Sequence, residues 1–306
     1  MIGSALPGRL HCRGNLGLGI VVALALVLGL AVLVTACGSS SEASTTAGSK
    51  TTTSVAGKTD LVLASTTSTQ DSGLFDVLIP AFTEAFPKYN MKVVAVGSGE
   101  ALKLGQTGDA DVLLVHSPAA ETEFMTAGYG MGRKAVMYND FITIGPPSDP
   151  AKIKGMTDAA AAFKKIADSQ SLLYSRGDKS GTNAKELTLW KAAGVTPSGD
   201  WYQTTGQGMG ETLTIADQKG GYTLADRGTW LAKKDSLENL ELLVEGDKAL
   251  FNQYHAITCQ AAKNMQGAND FMNWIVSPYV QQNIIATYGL DKYGRPLFIP
   301  NAATAQ

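Results

Sequence analysis

The tightest constraint on this chain is an alternation of short apolar strand patterns with helix patterns that begins near Thr59. Asp60 to Ala64 reads as a strand, and Leu74 to Phe86 as a helix that stops at Pro87. Met91 to Val96 is a second strand, and Glu100 to Leu104 opens a short helix. Asp111 to His116 is an uninterrupted apolar strand, followed by a helix over Ala119 to Ala127. A strand without polar alternation is one covered on both faces. The βαβαβα order argues for a parallel sheet flanked by helices.

Farther on, Asn139 and Asp140 divide the run Arg133 to Ile144 into two apolar halves, and Gly145-Pro146-Pro147 ends it. A second series then begins: helix Asp158 to Ala167, strand Leu172 to Tyr174, helices Asn183 to Ala193 and Glu211 to Gln218, strand Gly221 to Leu224, helix Asp226 to Lys233 and strand Leu240 to Val244. Strand Tyr254 to Thr258 and helices Ala268 to Val276 and Pro278 to Tyr288 close the chain. Ser277-Pro278 marks that last helix start, a hydroxyl cap followed by proline. The expected division is two α/β lobes, residues 59–138 with 252–306 and residues 139–251.

The first 36 residues are built differently. Arg9 and Arg13 precede an apolar stretch from Leu16 to Ala36, the pattern of an export signal. Val34-Thr35-Ala36-Cys37 followed by Gly-Ser resembles a bacterial lipobox, which implies cleavage before Cys37 and lipidation of its thiol. An uncleaved membrane anchor is the alternative. Either way the folded part lies outside the cytoplasm. Gly38 to Lys58, rich in Ser, Thr, Gly and Ala, reads as a flexible tether, so that 37–58 is a lipid-anchored linker. Beyond residue 36 the chain carries 23 basic and 27 acidic side chains. No basic block accompanies them, which argues against nucleic acid as a partner. Cys259 is the one cysteine left over, with no partner for a disulfide, and reads as packing.

Four strand-to-helix junctions are rich in hydrogen-bond donors. Ser65-Thr66-Thr67-Ser68-Thr69 stands before the helix pattern at Leu74, where backbone N–H groups lack intrahelical partners and the helix dipole is positive. Val96-Gly97-Ser98-Gly99-Glu100 presents Ser98 between two glycines. Tyr174-Ser175-Arg176-Gly177-Asp178-Lys179-Ser180-Gly181-Thr182 adds a planar guanidinium fork suited to oxyanions. Gly206-Gln207-Gly208-Met209-Gly210 is the fourth. Each has a plain structural reading: cap, tight turn, an Arg176–Asp178 ion pair, a hinge loop. Together they fit a compact oxyanion at the carboxyl ends of the strands.

Enzyme signatures are poor. Gly177-Asp178-Lys179-Ser180-Gly181-Thr182 is not a Walker loop, and Ser98 in Gly-Ser-Gly is not a nucleophile elbow. A secreted hydrolase using Ser98 or Thr67 as nucleophile lacks a positioned base. His116 and His255 read as structural, with no metal-ligand spacing. Trp190, Trp201, Trp230 and Trp274 read as core, while Tyr138, Tyr202 and Tyr222 are candidates to line a cleft. No cofactor, metal or enzymatic activity is expected.

Seven ordered strings bring in a family. Ser65-Thr66-Thr67-Ser68-Thr69-Gln70-Asp71-Ser72-Gly73, Val96-Gly97-Ser98-Gly99, Gly108 to His116, Met137-Tyr138-Asn139-Asp140-Phe141, Ser175 to Thr182, Gly206 to Gly210 and Tyr222 to Thr229 resemble solute-binding proteins of ABC importers, and more closely the tungstate-binding TupA-type proteins. The resemblance spans about residue 60 to 301. It implies a two-lobed type II periplasmic-binding-protein fold, each lobe a mixed, mostly parallel sheet flanked by helices, with an oxyanion in the interlobe cleft. It carries anion contacts onto Thr67, Ser68 and Arg176, and further onto Ser98, Ser180 and Thr182. The expected partners are tungstate or molybdate, a permease with its ATPase, and the membrane through a lipid anchor, with the protein itself a monomer. Sulfate or phosphate binding and a ligand-sensing ectodomain are the other readings. The chain departs from the family pattern at Ser65 and Ser98, where threonine is commoner. It also departs at Lys179, where a second acid is common and a lysine adds positive charge near the cleft. Hinges are expected near Asn139-Asp140 and between Gly246 and Asn252.

Overall fold

The computed structural model describes residues 57–302. The expected signal segment, Cys37 and most of the tether lie outside the described residues.

β1 (Thr59–Thr66) runs into α1 (Thr67–Asp71) and α2 (Phe75–Ala85), β2 (Tyr89–Val96) into α3 (Ser98–Thr107), and β3 (Val112–Val115) into α4 (Pro118–Thr126). β4 (Gly130–Gly145) follows, then α5 (Ala159–Asp168), β5 (Leu173–Ser175), α6 (Gly181–Ala192), β6 (Tyr202–Thr204), α7 (Met209–Lys219), β7 (Thr223–Asp226) and α8 (Arg227–Lys233). β8 (Glu241–Val244), β9 (Phe251–Cys259), α9 (Met265–Ile275) and β10 (Ile299–Pro300) complete the order.

Parallel pairing is found where crossovers make it possible: β2 with β1, β1 with β3, and β5 with β6. The other pairs are antiparallel, because β9 returns beside β3 and β4, while β7, β8 and β10 also line up on β4. The sheets are therefore mixed as expected but not mostly parallel: parallel pairing is confined to the β-α-β crossovers, and the strands that return beside β3 and β4 make the remaining pairs antiparallel. Alternation explains why the strands read as apolar throughout. Val112 and Leu114 face one core cluster with Phe82, Phe271 and Trp274, whereas Leu113 and Val115 face another with Phe124 and Cys259. In the second series Phe141 joins Phe163 and Trp190, and its neighbour Ile142 joins Leu213 and Trp230. Two covered faces demand apolar residues at both parities.

β4 departs from the sequence reading. Asn139 and Asp140 do not break it; one strand of 16 residues crosses from one series to the other. Its first part pairs with β9, ending at Asn139 opposite Asn252 and Asp140 opposite Phe251. Its last part, Phe141 to Gly145, pairs with β7 and β8. The two polar residues sit at the changeover, and each finds a partner there. Asn252 donates to Asn139 Oδ1 at 2.7 Å. Arg227 holds Asp140 through Nε and Nη2 at 2.6 and 2.5 Å and reaches Glu245 at 2.7 Å.

The final expected helix is also altered. Ser277 caps it as read, but a π-helical turn occupies Gln281–Ile285. Gln281 is buried there, donating to the Ile275 carbonyl at 2.9 Å and accepting from the Ala302 N–H at 3.1 Å.

Candidate anion-binding site

The hydroxyl run is divided by its own hydrogen bonds. Ser65 ends in β1, with its Oγ donating to the Leu114 carbonyl at 2.7 Å. Thr66 caps α1 by accepting from the Thr69 N–H at 3.3 Å, and its hydroxyl also meets that of Thr69 at 2.9 Å. A short helix thus precedes the one expected from Leu74, which is α2 with Leu74 as its N-cap residue, since a hydroxyl cap at Thr66 outweighs the weak helix propensity of Thr and Ser. Ser65, Thr66 and Thr69 shape the turn, leaving Thr67 and Ser68 on its outer side.

Those two meet Arg176. Its side chain is 2% exposed and forks between elements: Nη2 donates to Thr67 Oγ1 at 3.0 Å and to Asp178 Oδ2 at 2.5 Å, while Nη1 reaches Ser68 Oγ at 3.4 Å. Both readings of Arg176 are therefore met at once: it pairs with Asp178 and it contacts the hydroxyl run. Because Thr67 Oγ1 accepts from the guanidinium, its own proton stays free to donate.

Ser98 begins α3 and is fully buried, accepting from the His116 backbone N–H at 3.4 Å. Ser180 caps α6 by accepting from Asn183 N–H at 3.2 Å, so its hydroxyl already has a structural task. The two turns are in close contact. A Cβ on Gly99 would sit 2.9 Å from the Lys179 carbonyl, and one on Gly181 would sit 2.5 Å from the His116 carbonyl. Only glycine permits that approach. Lys179 itself adopts a left-handed φ of 59° and its side chain is exposed, outside the buried cluster.

Unpaired polar atoms gather around this point. Arg176 Nε, Thr182 Oγ1, His116 Nε2 and Asn139 Nδ2 are buried without hydrogen-bond partners. Buried polar atoms are normally satisfied, so such a concentration calls for a ligand or a function. Asn252 settles the His116 tautomer. Its Nδ2 donates to Asn139, which turns its Oδ1 toward His116 Nδ1 at 2.9 Å and makes that nitrogen the donor. Burial drives the imidazole pKa down to about 4, so the ring is neutral, stacked on Tyr254 at 4.6 Å. Asp226 is buried beside Arg176. Desolvation raises its carboxyl pKa, opposed by hydrogen bonds from Thr229 and Ser68 and by the charge of Arg176.

Chemically this is a set of N–H and O–H donors about one guanidinium. Ser98 is engaged by a backbone N–H and Thr67 by Arg176. His116 Nδ1 is committed to Asn252, and its Nε2 is unpartnered.

The tyrosines nominated from sequence are elsewhere. Tyr222 binds Asp149 at 2.8 Å, Tyr202 binds Glu186 at 2.8 Å, and Tyr138 packs on Phe251 at 5.0 Å. Each hydroxyl or ring is used in local packing. His255 pairs with buried Glu121 at 2.7 Å, whereas His116, read as structural, joins the unsatisfied cluster through its Nε2. What sequence reasoning missed is Asp226, Thr229, Asn139, Asn252 and Tyr254. Asp226 to Thr229 carried a cap signal, Asp226 accepting from the Thr229 N–H at 2.8 Å. Asn139 and Asn252 fall in the expected hinge segments, but they lie 113 residues apart and no local pattern marked their pairing.

Residues 40–279 match the PBP superfamily domain. The chain is 52% identical over 252 residues to the tungstate-binding protein TupA of Peptoclostridium acidaminophilum, spanning 80% of this chain and 87% of that one. The structure described as the tungstate ABC transporter from Geobacter sulfurreducens is 44% identical with a TM-score of 0.67, covering 74% of this chain and 97% of that one. The tungstate-binding protein TupA from Desulfovibrio alaskensis G20 is 45% identical with a TM-score of 0.64, over 80% of this chain and 100% of that one. The chain belongs to the PBP superfamily and, within it, to the TupA-type solute-binding proteins.

Proposed function

We propose that this protein is the extracytoplasmic substrate-binding component of an ABC importer and that it captures tungstate between two closing lobes. The observation that carries the reading is Arg176, buried, forked between Thr67 and Ser68, with its Nε left unpartnered. A dianion leaving water needs nearly all of its oxygens hydrogen-bonded. Thr67, Ser68, Ser98, Arg176 and Thr182 supply donors, Ser180 holds the α6 turn as its cap, and charge-assisted bonds contribute roughly 1.5–3 kcal/mol each. Residues 59–138 with 252–306 form one lobe and residues 139–251 the other. Closure bends the β4–β9 pair around Asn139 and Asn252, and contacts from both lobes to one anion stabilise the closed form. The permease and its ATPase receive the anion. Lipidation at Cys37 after signal cleavage holds the monomeric protein at the membrane.

Calorimetric titration of the mature protein against tungstate, molybdate, sulfate and phosphate tests the reading. Tungstate is expected to bind tightest, and Arg176→Ala to weaken it at least tenfold with the fold retained. Tighter binding of sulfate or phosphate overturns tungstate as the cargo, and unchanged affinity removes Arg176 from the site.

A further inference from the structure

One carboxylate beside the site has no part in holding an anion and by its charge opposes one. Asp71 ends α1, and its Oδ2 accepts from the backbone N–H of Gly210 at 2.9 Å. Gly210 is the second residue of α7, a helix of 11 residues whose own cap, Gly208, offers no side chain. Its first N–H groups therefore lack partners and carry the positive end of the helix dipole. Asp71 does for α7 what a capping side chain would, from 139 residues away.

The rest of the contact is built around that bond. A Cβ on Gly210 would stand 3.0 Å from Asp71 Oδ2 and 3.0 Å from Lys233 Cε, so carboxylate and lysine converge on bare peptide. Burial raises the Asp71 carboxyl pKa, while the Gly210 N–H, Lys233 and Arg176 act against burial and Glu211 acts with it. On the same helix, Thr67 Oγ1 lies 3.5 Å from the Met209 N–H and the Ser68 carbonyl accepts from Thr229 at 3.2 Å. α1 is thus wedged between α7 and α8, which belong to the other proposed lobe.

We propose that Asp71 is an interlobe latch: its carboxylate caps α7 in the closed form and prolongs retention of the anion without touching it. The latch rests on the two-lobe binding function proposed above. Breaking it shortens the closed state, so it acts on release, whereas encounter with the open cleft is unaffected.

The test is stopped-flow kinetics on wild type, Asp71→Ala and Asp71→Asn, using tungstate or, if another binds tighter, that member of the four anions. Asp71→Ala is expected to raise the dissociation rate about tenfold with the association rate within about twofold. This corresponds to about 1.4 kcal/mol. Asp71→Asn keeps an acceptor oxygen of the same shape but drops the charge, and is expected to fall between. An unchanged dissociation rate, or a loss confined to association, overturns the latch while leaving the binding function intact. If the wild type binds none of the four, the functional reading fails separately. The latch is then judged by amide hydrogen exchange at Gly210 without anion: faster exchange in Asp71→Ala supports it, and equal exchange overturns it.

Discussion

The two walls that meet at the site are built on opposite principles. The α1–α3 wall presents neutral hydroxyls on a turn shaped by bonds to backbone groups, Ser65 to the Leu114 carbonyl and Thr66 to the Thr69 N–H. The β5–α6 wall presents a buried cation, Arg176, held by Asp178 at 2.5 Å and faced by buried Asp226. A hydroxyl is costly to bury by only a small amount once one bond is made. A charge needs a partner wherever it goes. Specificity for an anion can therefore be spread over several interchangeable neutral donors on one side, while the other side depends on one ion pair.

That contrast can be broken by experiment. Asp178→Ala removes the carboxylate bonded to Arg176, leaving it the hydroxyls of Thr67 and Ser68 and the facing charge of Asp226. It is expected to lower stability by about 3 kcal/mol in urea unfolding, the lower end for breaking a buried pair, because Asp178 is partly exposed. A loss below about 1 kcal/mol would show that the ionic wall is no more demanding than the neutral one.

His116, behind both walls, adds a pH limb. Its folded pKa of about 4 lies below the unfolded value of 6.5. The unfolded chain therefore binds the proton first, and stability falls as pH drops from about 6.5 toward 4, at no more than about 1.4 kcal/mol per pH unit. Asp226, with its raised pKa, works in the opposite sense, its contribution being present below the unfolded value and lost as pH rises through the folded one. Comparing wild type with His116→Gln isolates the histidine: the variant is expected to show the shallower acid slope, and equal slopes would mean that the ring protonates freely in the fold.

The smallest effects are expected on the neutral wall. Thr67→Val keeps shape but removes the hydroxyl between Arg176 and Met209, and should cost about 1 kcal/mol of anion affinity, roughly fivefold. Ser65→Ala, one layer behind, should cost a similar amount in urea unfolding while moving affinity less than twofold. Equal effects of the two on affinity would erase the division of the hydroxyl run.

Much of this architecture was legible in sequence because its signals are local. Strand periods, apolar runs and cap residues placed β1, β3 and most helices within a few residues, and the family strings marked the same junctions that gather in space. The failures share a cause. Asn139-Asp140 looked like a break in β4 because two polar residues in a strand are unfavourable without partners, and the partners, Asn252 and Arg227, come from 113 and 87 residues away. The short helix α1 went unread because hydroxyl residues are weak helix formers, and Thr66 reversed that by capping.

By itself, then, the sequence determined which segments are strands and helices, which turns are rich in donors, and that Arg176 was the one guanidinium among them, since these follow from periodicity and side-chain chemistry. Only the tertiary structure decided that Arg176 would hold Asp178 and Thr67 together, that His116 would be neutral with a committed Nδ1–H, and that Asp71 would cap a helix from another part of the chain. Those outcomes depend on burial and on partners distant along the chain, and neither is written in a local pattern.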